Sequence, residues 1–515
     1  MKRIMRRKNM RTHELYQVYL RHRVVTTDSR RITPGSLFFA LKGGNFDGNR
    51  FAAAALDAGA ACAVVDDPEV ATDGRFFLVD DVLTALQELA RHHRTRLGLP
   101  ILAITGTNGK TTTKELVAAV LSRKFRVTFT QGNLNNHIGV PLTLLGMTHE
   151  TDLSVVEMGA NHPGEIAFLC AIALPDYGLI TNVGKAHLEG FGSFEGVLRT
   201  KSELYRHLEE HHGTIFINAR NPWLSQSAGP RLARISYRPG DPAETGLLPP
   251  ESSGVPAKEC VTAGTSGGVP AGTAGKETRY AEAVENAAGA GEGSPGVEWG
   301  AVAGSGHAGS AAAGDSMAVT GFSSGTGPLL EVRACWQGVE TTIPTRLVGN
   351  YNLENVLAAI AVGSHFGVPP ADIAAALAAY SPSNNRSQWM KTGTCEIIMD
   401  AYNANPTSML AAVRNFVTLH HPRKMVILGD MLELGAVSAE EHQRITDELS
   451  LHFREGVLLC GEAFCATHKP VKFKTFPHVA GVISWLREHP PADTLLLIKG
   501  SRGMQLEKIV DALSE

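Results

Sequence analysis

The stretch Ile101-Leu102-Ala103-Ile104-Thr105-Gly106-Thr107-Asn108-Gly109-Lys110-Thr111-Thr112-Thr113 decides how the chain is read. Its apolar run, Ile101 to Ile104, predicts a buried strand. A glycine-rich turn follows, and Thr111 to Leu121 has helical spacing. Strand, glycine turn and helix with Lys-Thr at the join make a phosphate cradle. Gly106 and Gly109 let backbone N–H groups point at phosphate oxygens. The helix start adds partial positive charge. Lys110 reaches the terminal phosphates, and the Thr111 hydroxyl can hold magnesium. The common longer pattern wants glycine where Ile104 stands, so a plain glycine-rich turn in an α/β domain is the alternative.

Around this loop, residues 98 to about 225 alternate strands with helices, which predicts a doubly wound, mostly parallel sheet. Ligands of such sheets lie beyond the carboxyl ends of the strands. Polar clusters fall there: Gln131 to Asn136 after a strand ending near Phe129, Glu157 after Leu153 to Val156, and Thr181 to His187 after Tyr177 to Ile180. Glu157 and His187 near a phosphate loop suit magnesium, although magnesium prefers oxygen and a His is the less expected ligand. Taken singly, each cluster could be a cap or a turn. Lys201, in Arg199 to Leu204, reads by its local pattern as a solvated helix lysine. Asn350 to Asn355 opens a helix, where asparagine is a cap or a purine contact.

Farther out, residues 1 to about 97 alternate short strands and helices as a small α/β unit. Ser29, Arg30 and the glycines of Lys42 to Gly48 could hold a phosphorylated ligand, with ordinary turn chemistry as the simpler reading. A third, Rossmann-like α/β unit spans 383 to 515, and 98 to 382 form the central one. In the third unit, Asp400 follows a strand at Glu396 to Met399. Gly429 to Gly435 follows Met425 to Leu428, and Lys499 to Gly503 follows Thr494 to Ile498. Between about 241 and 327, Gly, Ala, Ser, Thr and Pro dominate. That composition predicts a disordered insertion, with strands resuming at Leu329 to Trp336 and Thr341 to Leu347.

Bulk properties narrow the class. The 515 residues exceed one core and favour three domains. With 43% hydrophobic and 19% charged residues, the chain suits a soluble globular protein. A net charge of −3 gives no electrostatic case for nucleic acid. Seven scattered cysteines lack metal-ligand spacing and suit a reducing compartment. The basic start, Lys2 to Arg11, lacks the apolar run of a signal peptide, and no stretch is apolar enough to span a bilayer. The expectation is a cytoplasmic monomer that is not an integral membrane protein.

Taken together, Gly106 to Thr112, Glu157, Asn182 to His187, Gly349 to Asn355 and Asp400 resemble the Mur ligase family of cell-wall enzymes, in the family's order. Tyr402-Asn403-Ala404-Asn405-Pro406, Gly429 to Gly435 and Lys499 to Gly503 look like the signatures of the member that adds D-alanyl-D-alanine to UDP-N-acetylmuramoyl-tripeptide. The resemblance implies an ATP-dependent amide ligase working through an acyl phosphate, with ATP and Mg2+. It implies that Gly106, Thr107, Asn108, Gly109, Lys110, Thr111 and Thr112 bind the ATP phosphates. Thr111 and Glu157 would hold a first magnesium, and His187 and a carbamylated Lys201 a second. Asn355 would face adenine, Arg386 the phosphates and Asp400 the ribose. Ser29 and Arg30 fall in the UDP-binding unit, and Lys499 and Arg502 are candidate partners of the dipeptide carboxylate. A folate polyglutamate ligase is the nearest rival, and Thr27 to Gly48 argues against it because that relative lacks a UDP-binding unit. A nucleotide-binding regulator without ligase activity is a rival of another class.

Overall fold

The computed structural model describes residues 2–240, 319–324, 327–382, 386–393 and 395–514. Ile101–Thr105 is a strand with all five residues buried. Its side chains alternate between two cores: Ile101 and Ala103 pack with Leu144, Met158 and Ile180, while Leu102 and Ile104 pack with Val117, Leu179 and Leu357. Burial on both faces is why the run is apolar throughout rather than at every second residue.

This strand is flanked in parallel by Leu153–Glu157 and by Tyr177–Ile180. The chain first builds to one side, with Val127–Phe129 at the edge, and then crosses to the other. The crossing is a topological switch, and it opens a crevice at the carboxyl ends beside Gly106. From that far side the sheet continues through Thr214–Asn218, Ala233–Pro239, Val319–Ser323, Leu329–Trp336 and Val339–Val348, nine strands in all among the described residues. The first seven run parallel, Leu329–Trp336 runs against them, and Val339–Val348 pairs antiparallel with it.

Helices Lys110–Leu121 and Leu353–His365 cover one face, the latter burying every residue from Asn355 to Ser364. Val82–Leu97, Gly139–Leu145 and Glu165–Ala173 contribute to the core on the other.

Strand Val319–Ser323 corrects the expected insertion, because it lies inside 241–327 and pairs in parallel with Ala233–Pro239. Its composition is poor, yet Val319 and Phe322 are buried, so sheet pairing decides the conformation. The rest of that expectation, residues 241–318 and 325–326, falls outside the described residues.

Two smaller sheets flank the long one in sequence. Val25–Thr26, Leu37–Phe39, Cys62–Val65 and Phe76–Leu78 form a parallel four-stranded sheet. Before it, Lys2–Arg21 is a helix that includes the basic start. Leu15, Tyr16 and Tyr19 bury its inner face, and the Tyr19 hydroxyl donates to Leu145 O at 2.7 Å.

The later sheet runs Gln388–Thr392, Cys395–Asp400, Leu495–Lys499, Lys424–Gly429, Val457–Cys460 and Lys474–Phe476. The last strand in sequence sits between the second and third, so this sheet too has a crevice, at Asp400, Lys499 and Gly429. Among the described residues no helix is long and apolar enough to cross a membrane.

Candidate active site

The loop after Ile101–Thr105 is fastened on every side. Gly106 has φ of 141°, and a Cβ there would lie 2.0 Å from Thr181 Oγ1. Gly109 has φ of 78°, and a Cβ would come within 2.6 Å of Asn355 Oδ1. Both positions therefore require glycine for conformation and for space. Thr107 N–H donates to Asn182 O at 2.9 Å, and Asn108 N–H donates to Asn182 Oδ1 at 3.0 Å. Thr181 Oγ1 donates to Asn108 O at 2.6 Å. The helix beginning at Lys110 has no internal partners for its first N–H groups.

Lys110 folds back over this loop, donating to Gly106 O at 2.8 Å and Thr107 O at 3.1 Å. Burial pushes its ammonium pKa down, the Glu157 charge opposes that, and the Arg386 charge adds to it. Thr111 is buried at the helix start. Glu157 is 1% exposed at its strand end. Its Oε1 accepts from Asn135 Nδ2 at 2.9 Å, and its Oε2 is buried with no hydrogen-bond partner. A buried carboxylate oxygen left open beside a hydroxyl is a coordination position for a hard cation.

Loop, Thr111, Glu157 and the Asn133–His137 segment line a cleft of about 740 Å³, within the range of small-molecule sites. Its far wall comes from the later sheet: Arg386, Ser387, Asp400, Tyr402, Asn403 and Lys499. Asn405 caps helix Pro406–Thr418, and its Nδ2 donates to Asn108 Oδ1 at 2.7 Å. Lys185 reaches Glu441 at 2.7 Å. His187, with φ of 49°, pairs through Nδ1 with Glu433, itself at φ of 63°. Burial pushes the His187 pKa down, against the Glu433 charge. Two non-glycine residues in the left-handed region meeting side chain to side chain mark a contact held by its surroundings.

The structure brings most of the expected residues together. Thr107, Asn108, Gly109, Lys110, Thr111, Thr112, Glu157, His187, Asn355, Arg386, Asp400 and Lys499 line the one cleft. Gly106 does not line the cleft and packs against Thr181 and Asn182. Asn355 accepts from Thr113 Oγ1 at 3.0 Å and donates to Asn352 Oδ1 at 2.8 Å, so its amide is already oriented. Arg386 lays its guanidinium 3.6 Å from the Tyr402 ring centroid, a cation–π contact, with its Nε buried and unpaired. Burial and the Asp400 charge push the Tyr351 pKa up, and its hydroxyl lies 2.9 Å from Ser387 Oγ.

Lys201 is 2% exposed, against its reading as a solvated lysine. Its Nζ donates weakly to Ala160 O at 3.4 Å and lies 5.4 Å from the Phe191 ring centroid. Desolvation first, and the Lys110 charge second, hold its pKa far below the usual range.

Four expected residues stand differently. Ser29 and Arg30 do not line the cleft, and exposed Arg30 pairs with Asp28 at 2.9 Å. Arg502 is exposed, 5.2 Å from the Tyr402 ring centroid. Lys499 is 1% exposed and bonds Asp400 Oδ2 at 2.7 Å, so it is no free partner for a carboxylate. The sequence placed Asn135, Asn182, Asn405 and Glu433 inside the polar stretches singled out, without a role for any of the four. Each is a polar residue in a strand-end loop, a position whose signal appears only when the strands are set side by side.

The fold is that of an α/β enzyme, with a glycine loop at a switch point opening onto a cleft walled by a second sheet. Family models match the chain in three segments. The Mur ligase family, catalytic domain matches residues 22–94, the Mur ligase middle domain 104–244, and the Mur ligase, glutamate ligase domain 385–512. The UDP-N-acetylmuramoyl-tripeptide–D-alanyl-D-alanine ligase of Bacillus subtilis (strain 168) is 33% identical, over 95% of this chain and 93% of that one. Its counterpart from Escherichia coli (strain K12) is 31% identical, over 95% and 93%. MurF from Acinetobacter baumannii superposes with a TM-score of 0.72 at 26% identity, covering 95% of this chain and 93% of that chain. The MurF ligase from Thermotoga maritima, solved in complex with ADP, shares the fold with a TM-score of 0.70 at 23% identity, covering 96% and 98%. The chain belongs to the Mur ligase family.

Gly109→Ala tests the loop. An alanine there takes on about 1–2 kcal/mol of left-handed backbone strain and meets Asn355. Steady-state assays are expected to give a KM for ATP raised on the order of tenfold or more, with an unchanged circular dichroism spectrum. Wild-type ATP kinetics would contradict the crowding described.

Proposed function

We propose that the protein is an ATP-dependent amide ligase that joins D-alanyl-D-alanine to UDP-N-acetylmuramoyl-tripeptide in peptidoglycan precursor synthesis. The observation that carries this reading is the single cleft in which Lys110 and the open helix start face Glu157 and a wall from a second sheet. A triphosphate and two further reactants need such a shared space.

The chemistry follows from the leaving group. A carboxylate does not acylate an amine, because oxide would have to depart. One carboxylate oxygen attacks the terminal phosphorus of ATP, the bond to ADP breaks, and an acyl phosphate forms. The amine nitrogen of the dipeptide then attacks the acyl carbon, loses its proton, and expels inorganic phosphate. Lys110 and the N–H groups at Lys110 to Thr112 offset the charge that repels a carboxylate from a triphosphate. Lys110 donates to loop carbonyls and would exchange them for phosphate oxygens. Asn182 keeps the loop from collapsing onto the vacated space. Closure of the second wall would exclude water from the acyl phosphate. No protein nucleophile is needed.

Magnesium fits the residues present: Thr111 and the unpaired Glu157 oxygen would hold one ion, and His187 with Lys201 a second. When bound, the ions supply Lewis acidity and charge neutralisation at the phosphates. Lys201 serves in this set as a carbamate, which turns a buried ammonium into an oxygen ligand. Its burial between Ala160 and Phe191, close to the Lys110 charge, favours that exchange. Units 1–97, 98–382 and 383–515 match three ligands, with Ser29 and Arg30 on the UDP-bearing substrate and Arg502 near the dipeptide.

Phosphate release from ATP is expected only when both the UDP-muramoyl tripeptide and D-alanyl-D-alanine are present, and not in Lys110→Ala. Release with either substrate omitted, or full turnover in that variant, would overturn the assignment. Lys201→Ala is expected to lose at least tenfold in kcat and to regain part of it with added short-chain carboxylic acids. An alanine variant fully active without additives rules out the carbamate.

A further inference from the structure

Lys499 ends strand Leu495–Lys499, next to Asp400 at the end of Cys395–Asp400, and the two are register partners in the parallel pair. The lysine is 1% exposed. Its ammonium donates to Asp400 Oδ2 at 2.7 Å and to Asn403 O at 3.3 Å. The other carboxylate oxygen of Asp400 accepts from Ser387 N–H at 3.3 Å. Asp400 is thus gripped from both sides, with its charge facing the cleft.

Two consequences follow from that grip. A buried ammonium bonded to a half-buried carboxylate cannot turn to an incoming carboxylate without leaving Asp400 uncompensated. The same ammonium also pins the Asn403 carbonyl, two residues before Asn405, whose amide meets Asn108 of the phosphate loop. One side chain therefore sets the strand-end acid and the turn that touches the loop.

We propose that Lys499 is a positioning residue for the nucleotide, acting through Asp400 on the ribose and through the Ala401–Asn405 turn on the phosphate loop, and that it does not bind the dipeptide. The inference rests on the proposed reading of Asp400 as the ribose partner. Lys499→Met keeps the stem and removes the charge, Lys499→Arg keeps a cation that can still pair with Asp400, and Asp400→Asn tests the acid itself.

The assay measures KM for ATP and for D-alanyl-D-alanine separately, and repeats the first with 2′-deoxy-ATP and 3′-deoxy-ATP. In Lys499→Met the KM for ATP is expected to rise on the order of tenfold, and the penalty for the deoxy analogue that wild type rejects should shrink toward one. The KM for dipeptide should stay within about twofold, and Lys499→Arg should recover part of the ATP affinity. A raised dipeptide KM with unchanged ATP recognition would overturn the inference. Lys499→Arg carries the measurement if the methionine variant does not fold. If Asp400→Asn keeps full discrimination between ATP and its deoxy analogues, the ribose reading falls and takes the inference with it. If Asp400→Asn loses discrimination while both Lys499 variants keep it, only the inference falls.

Discussion

Peptide N–H groups at the start of an α-helix have nothing to bond within the helix, and an enzyme that handles a triphosphate depends on keeping them open. Here they belong to the helix that begins at Lys110. Keeping them open takes glycine at 106 and 109, because neither the backbone angles nor the packing against Thr181 and Asn355 leave room for a Cβ. It takes Asn182, which holds Thr107 and Asn108 from the neighbouring strand end. It takes a strand buried on both faces, since a loop is only as fixed as the element that launches it.

The second wall of the cleft answers the first. Asn405 meets Asn108, Lys185 meets Glu441, and His187 meets Glu433. Lys185 and Glu441 pair charges, and this contact and that of His187 both come from the Thr181–His187 loop that also holds the glycine loop in place. Any shift of the wall is therefore felt where the phosphates sit. Such a link lets one enzyme withhold its reactive site until the reactants are assembled, which an acyl phosphate requires because water destroys it.

Much of this was legible in the residues because local signals and tertiary structure agree. The runs at Ile101, Leu153 and Tyr177 became strands within a residue of their expected limits, and the polar residues after them line one cleft. Legibility failed where the deciding force lies far away in sequence. Val319–Ser323 is a strand because Ala233–Pro239 and Leu329–Trp336 pair with it on either side. Lys201 sits among charged and polar neighbours at 199 to 203, and its burial shows only with Phe191 and Ala160 beside it. Lys499 looks like a free cation until Asp400, 99 positions away, is set beside it.

The central claim is that the phosphate loop serves to convert an unreactive carboxylate into a mixed anhydride. Tracing oxygen tests it most directly. UDP-muramoyl tripeptide carrying 18O in its terminal carboxylate is turned over with ATP and D-alanyl-D-alanine, and the released phosphate is analysed by mass spectrometry. The account predicts one 18O atom in each phosphate, carried there when the acyl–oxygen bond breaks. Phosphate free of label, with amide product formed at the normal rate, would contradict it.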